Sequence, residues 1–474
     1  MRYLSTRDSR RRPNSHSFEE VLLRGLADDG GLFVPEHLPL LDSEAWKSLS
    51  GLPYAELAAR VMALFAGDSF SLGELTSLAE KAYRRFRHAA VAPLIQLDER
   101  LWLLELFHGP SLAFKDLALQ FLGQLFDAVL ARRAEHVTVV GATSGDTGAA
   151  AIAACRDKAA IDLFIFYPLG RISEVQRRQM TTVESENVHA IAIEGSFDDC
   201  QDLVKGLFAD SALRERLGLA AINSINWARI AAQVVYYLWA GLALGAPGRP
   251  LSFSVPTGNF GNVYAGHLAR RMGLSVARLV IGTNKNDILA RYLETGRMEI
   301  ETVSPSLSPA MDIQVPSNFE RLLFELLGCE GAAVAAAMLA FRQRRALPGN
   351  RAAWHAAQGL FRAKKVDDDE TLATIGRIHA RSGVLVDPHT AVAIAAGESA
   401  LAANGERVPM IALASAHPAK FPEAVERATG IRPAVPPALG DLFERRERTL
   451  VLPNDLASVR SLIESRARRS AKAA

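Results

Sequence analysis

Residues 136–156 read "HVTVVGATSGDTGAAAIAACR". The β-branched run from Val137 to Val140 does not alternate with polar residues, which predicts a strand buried on both faces. "GATSGDTG" supplies the small residues of a tight turn, and the alanines that follow predict a helix. Strand, glycine-rich turn and helix form the repeating unit of an open, mostly parallel sheet with helices on both faces, an α/β fold. Such sheets bind ligands at the loops that leave the carboxyl ends of the strands. This turn suits an anion such as a carboxylate or phosphate. Its glycines let backbone amides approach, Thr143, Ser144 and Thr147 add hydroxyl donors, and the helix presents its positive dipole end. No Gly-Lys-Ser/Thr closes the turn and no G-x-G-x-x-G is present, so nucleotide-loop readings fail. A plain helix cap in a tight turn is the competing reading.

The same rhythm extends outward. "LWLLEL", "DLFIFYP", "HAIAIEG", "LSFSVP", "LVIGTN", "VLVDP" and "MIALAS" predict further buried strands, each followed by a helical pattern. Before them the chain reads as helix-rich, with turn signals at "DDGGLFVPEHLP", and the boundary is expected near "HAAVAPLIQL". The expected organisation is an N-terminal domain over 1–95, a catalytic α/β region of two subdomains over 96–465 and a flexible tail over 466–474, which suits a chain of 474 residues.

Composition narrows the function classes. The 54 Lys and Arg residues nearly balance 52 Asp and Glu, for a net charge of +2, so nothing points to nucleic acid or an anionic membrane as partner. Anion binding is therefore expected to be local. The three cysteines, Cys155, Cys200 and Cys329, show no metal-type pairing, and no metal is expected. The first twenty residues lack the apolar run of a secretory signal, and the longest apolar run, "GAAVAAAMLAF", is too short to cross a bilayer. The expected location is cytoplasmic.

Three further segments carry candidate chemistry. After "LSFSV" comes "PTGNFGN", in which Gly258 and Gly261 bracket Asn259 and Phe260 and precede Asn262, a shape suited to a phosphate held by main-chain donors. "NSINWARIAAQ" brings Ser224, Asn226 and Arg229 to a helix start, where a guanidinium can bind a phosphate dianion through paired bonds. Each also reads as an ordinary turn or cap. The third is "HGPSLAFKD", in which Lys115 interrupts an apolar run. Staying neutral near pH 7 in such surroundings means destabilising the ammonium by about 4 kcal/mol, which folds accept where the amine acts as a nucleophile. Schiff-base chemistry with an aldehyde cofactor is the leading use. The alternative is a lysine that snorkels to solvent or pairs with Asp116. Ser415, closing "MIALAS", is a candidate partner for a pyridine nitrogen, one that would leave it largely unprotonated.

With "GLADDGGLFVPEHLP", "TNKNDILARYL", "DPHTAVA", "ASAHPAKFPEAV" and "LPNDLASVRSLI", these segments resemble, in order and over nearly the whole chain, the threonine synthase family. That family belongs to the tryptophan-synthase-β-like, fold type II enzymes of pyridoxal 5'-phosphate. The resemblance implies that Lys115 binds the cofactor covalently and that Gly258, Asn259, Phe260, Gly261 and Asn262 hold its phosphate. It implies that Ser415 faces the ring nitrogen and that Phe114 packs beside the cofactor. Thr143, Ser144, Gly145 and Thr147 would receive the substrate carboxylate, and Ser224, Asn226 and Arg229 the substrate phosphate. Asp146 lies in the same substrate loop, where the wider group commonly has asparagine. Beside a carboxylate its charge is unfavourable unless its oxygens accept backbone amides and point away. The implied reaction converts O-phospho-L-homoserine and water into L-threonine and phosphate, by γ-elimination and β-addition, in a monomer or homodimer. The rival readings are a phospho-lyase that stops at a 2-oxo acid, ammonia and phosphate, a dehydratase of the same fold, and a binding protein without chemistry. His108, His389 and His417 are expected to be structural hydrogen-bond partners.

Overall fold

A computed structural model describes residues 1–11, 13–404 and 408–468. Two sheets organise the chain. The six-stranded sheet runs, from edge to edge, Phe361–Lys365, Val276–Thr283, Leu251–Pro256, Met410–Ala414, Leu101–Glu105 and Leu94–Gln96. All its pairings are parallel except the last, where Leu94–Gln96 lies antiparallel to Leu101–Glu105. The five-stranded sheet, Leu450–Pro453, Val188–Glu194, Ile161–Pro168, Val137–Ala142 and Leu219–Ala220, is parallel throughout. Every residue of Ile161–Pro168 is buried, as expected of a central strand covered on both faces.

Two expected features differ. "VLVDP" forms no ladder, because Pro388 lacks an N–H and opens the helix Pro388–Asn404, while Asp387 caps it by accepting from the amides of His389 (3.0 Å) and Thr390 (3.1 Å). Val386 is nonetheless buried with Ile375 and Ile394, so its apolar character reports packing and not pairing. Conversely, "FRAKK" (Phe361–Lys365) is a strand that apolar patterning misses. It lies at a sheet edge, where basic side chains discourage pairing with other chains. Of the tail expected at 466–474, Arg468 is tied to Asp162 by its amide (2.6 Å) and its Nε (2.8 Å), while 469–474 lie outside the described residues.

The helix Lys115–Arg133 is buried around its circumference, packed against Leu72–Tyr83, Asp146–Cys155 and Trp227–Ala243. Its sequence has almost no polar face, which is why it cannot sit at the surface. Gly123 makes the closest crossing, since an added Cβ would lie 2.7 Å from the Ala154 carbonyl oxygen. Gly123→Ala should gain about 1 kcal/mol of helix propensity but lose about 1–3 kcal/mol to overpacking. The expected outcome is a lower melting temperature in a thermal denaturation.

The N-terminal region is helix-rich, with capping boxes at Ser17/Glu20 and Ser71/Glu74 that satisfy the first amides of their helices. Its aromatic residues close on Trp227, with Tyr3 and Phe65 each 5.9 Å away between ring centroids. That contact fixes the turn leading into Arg229. Among the described residues, no helix is long and apolar enough to cross a membrane.

Candidate active site

The position of Lys115 follows from the turn before it. Leu112 takes a left-handed φ of 62°, its carbonyl accepts from the His417 amide (3.0 Å), and Phe114 N donates to Ser415 O (2.8 Å). These bonds stitch the start of the lysine's helix to the end of strand Met410–Ala414, so Lys115 and Ser415 meet although 300 residues apart in sequence. Asp116 turns back to accept from Ser111 N (2.7 Å) and Oγ (2.9 Å), so it is not the lysine's partner. Lys115 is only 9% exposed; its Nζ lies 4.9 Å from the centre of the Phe114 ring and 3.2 Å from Asp146 Oδ2. Burial pushes its pKa down and Asp146 pulls it back up, while Lys420 and Arg229 press it lower.

The first glycine-rich loop is locked from within. Thr143 Oγ1 accepts from the amides of Gly145 (3.0 Å) and Gly148 (2.8 Å), capping the helix Asp146–Cys155. Gly145 has φ 126°, and an added Cβ would lie 2.4 Å from Gln176 Cδ, so only glycine serves there. Ser144 and Thr147 are half-buried at the same turn. Asp146 differs from its expected form: its oxygens accept from side chains and not from backbone amides. Oδ1 meets Lys420 Nζ at 2.7 Å and Gln176 Nε2 at 2.9 Å, and Oδ2 meets Lys115. Despite burial, the two ammonium groups hold its pKa far below the usual carboxylate range.

The second loop has no room to spare. A Cβ on Gly258 would lie 2.9 Å from Ala310 O, and one on Gly261 3.1 Å from Asn318 Nδ2. Phe260 adopts φ 65° and sends its ring into the core, edge-on to Phe319 and Phe361. Asn262 Oδ1 accepts from the hydroxyls of Tyr236 (2.6 Å) and Tyr237 (2.9 Å), while its buried Nδ2 has no partner. Asn318 Nδ2 joins this loop to the third segment, donating to Ser224 O (3.0 Å) and Asn259 O (3.2 Å). Arg229, on the same helix as Tyr236, is 3% exposed, with Nε and Nη1 unpartnered. Burial lowers its pKa to about 10, so it keeps its charge at neutral pH. Asn226 has other duties, donating Nδ2 to Leu22 O (2.8 Å) and accepting at Oδ1 from Ala228 N (3.0 Å).

Unpaired buried donors cost about 1–3 kcal/mol each and more for a charge, so they imply an acceptor that completes them. An orphaned amide in a glycine cradle and an orphaned guanidinium fit phosphate oxygens, and a buried lysine fits an aldehyde.

Comparisons with known proteins give the family. Family profiles described as threonine synthase N terminus, pyridoxal-phosphate dependent enzyme, and threonine synthase C-terminal match residues 2–83, 87–346 and 390–463. A threonine synthase of Pseudomonas aeruginosa is 53% identical over 470 residues, covering 99% of each chain. The chain belongs to the threonine synthase family. Another threonine synthase, from Schizosaccharomyces pombe, is 45% identical over 90% of this chain and 89% of its own. The crystal structure of a pyridoxal-phosphate-bound threonine synthase from Brucella melitensis superposes with a TM-score of 0.94 at 47% identity, over 99% of this chain and all of that one. The chain is accordingly a fold type II, pyridoxal-phosphate-dependent lyase.

Lys420 is one residue of the candidate site that sequence reasoning missed. "HPAKF" places it between prolines, where a lysine reads as solvated, yet it is fully buried. Only the tertiary contact with Asp146 distinguishes it. Of the histidines, His389 bonds Asp387 (2.7 Å) and accepts from Ala310 N (3.2 Å), bracing the segment behind Gly258. His108 bonds Glu105 (2.7 Å), and His417 accepts from Ala419 N (3.1 Å), with burial and the Arg87 charge lowering its pKa to about 4.

Proposed function

We propose that this chain converts O-phospho-L-homoserine and water into L-threonine and phosphate. The observation that carries the reading is a pair of buried cations, Lys115 and Arg229, of which the Arg229 guanidinium has Nε and Nη1 without a partner. A substrate with an amine at one end and a phosphate at the other spans such a pair.

Bound pyridoxal 5'-phosphate supplies an electron sink conjugated to the substrate's Cα. Lys115 would hold the cofactor's aldehyde carbon through its Nζ, and as a free amine it would serve as the general base for the Cα proton. Residues Gly258 to Asn262 would hold the cofactor phosphate through main-chain donors and the Asn262 amide, with Ser415 the partner for the ring nitrogen and Phe114 the neighbour of the ring. The loop Thr143 to Thr147 receives the substrate carboxylate. Arg229 and Ser224 hold the phosphate that leaves, and Asn226 keeps their turn in place through its cap. The helix-rich first 95 residues act as a scaffold pressed on that turn through Trp227.

The test is product analysis with O-phospho-L-homoserine. Stoichiometric L-threonine and phosphate are expected; 2-oxobutyrate with ammonia and phosphate would instead make the chain a phospho-lyase, and the absence of any turnover a binding protein.

A further inference from the structure

One buried charge beside Asp146 has no task in this mechanism. Lys420 is fully buried and donates to two oxygens at 2.7 Å, Ser111 O and Asp146 Oδ1. Asp146 therefore stands between two lysines. Lys115 has the poorer share, a single contact of 3.2 Å to Oδ2. Arg229 adds a third positive charge facing Lys115, and His389 faces Asp146 from the helix Pro388–Asn404. Asp116 and His417 also face Lys420. Of these, Asp116 is taken up by Ser111 and Gln120. Three cations around one available carboxylate cannot all remain charged in a water-poor site at low cost.

We propose that Lys420 is a positioning residue whose fixed ammonium occupies and anchors the Asp146 carboxylate, so that Lys115 is the member of the trio that gives its proton to water. This rests on the reading of Lys115 as the cofactor-binding amine. Gln176 Nε2 completes the anchor on Oδ1, which leaves Asp146 able to orient Lys115 without holding its proton. The aspartate in "SGDTG" then has a reason: an asparagine there could not balance a second buried lysine.

The test uses the full-length chain freed of cofactor, to which pyridoxal 5'-phosphate is added while the visible absorbance of covalent capture is followed against pH. Capture requires neutral Lys115, so the midpoint of its pH profile reports that proton. Lys420→Met should raise the midpoint by about one pH unit, slowing capture at pH 7 about tenfold, because Asp146 is released to Lys115 and a repelling charge is lost. Asp146→Asn should lower the midpoint, and Lys420→Arg should keep it near that of the unchanged protein. Midpoints that stay put, or that move the same way in Lys420→Met and Asp146→Asn, overturn the proposal. If Lys420→Met does not fold, Asp146→Asn decides alone, and a midpoint that holds or rises counts against it. Lys115→Ala separates the two ideas: absorbance that persists there refutes the lysine's own assignment, whatever Lys420 does.

Discussion

Lys115→Ala is expected to lose the visible absorbance of the covalently held cofactor and to lower turnover by at least about a thousandfold, since both nucleophile and general base disappear with one amine. The fold should survive. Asp146 keeps Lys420 at 2.7 Å and Gln176 at 2.9 Å, so removing Lys115 does not strand a buried carboxylate. What is lost is a buried amine with one long hydrogen bond, and the melting temperature of the cofactor-free variant should be unchanged or higher. The cofactor phosphate should still bind, because the glycine cradle and Asn262 do not depend on the lysine. Spectra, equilibrium dialysis and product assays on one preparation check the three parts. Normal-rate threonine formation by Lys115→Ala would remove the lysine from the chemistry.

The parts of this fold legible in the sequence are those governed by local chemistry. Buried central strands such as Ile161–Pro168 declare themselves as unbroken apolar runs, and the two glycine loops declare the turns that follow. The burial of Lys115 was legible because an ammonium inside an apolar run demands a reason. Residues whose role depends on distant partners were not. "VLVDP" and "FRAKK" exchange their expected states because one apolar run packs under a helix and one basic run pairs at an edge. Lys420 passed unnoticed because its acceptors, Ser111 O and Asp146, lie about 300 residues away in sequence. Asn226 looked like a ligand because nothing local reveals that Leu22 takes its amide. The same limit hides Arg321, fully buried, whose guanidinium bonds Phe33 O (3.0 Å), Ile225 O (2.6 Å) and the Asn318 side chain. Through Asn318 it reaches both Ser224 and Asn259, so one buried cation ties the N-terminal domain to both proposed phosphate sites.

Arg229→Leu should separate stability from activity, and in opposite directions. Arg321 is a buried guanidinium with acceptors, whereas Arg229 has Nε and Nη1 with none. An uncompensated buried charge is a standing cost, and replacing it with an apolar side chain of similar volume should raise stability by about 1–3 kcal/mol. The melting temperature of Arg229→Leu should therefore exceed that of the unchanged protein in the absence of substrate. Activity should fall, because a phosphate dianion held by a desolvated guanidinium gains about 2–5 kcal/mol that leucine cannot supply. In kcat/KM for O-phospho-L-homoserine this is a loss of about thirtyfold to several thousandfold. Cofactor content should not change, since its phosphate is assigned to the Gly258–Asn262 loop. Inorganic phosphate gives an independent readout: it should raise the melting temperature of the unchanged holoenzyme and leave Arg229→Leu where it was, as ligand binding to the folded state requires. Arg229→Lys restores the charge without the planar fork and should recover only part of the activity. Loss of cofactor from Arg229→Leu, or a drop in its melting temperature with activity intact, would show that the guanidinium serves the fold and not the substrate.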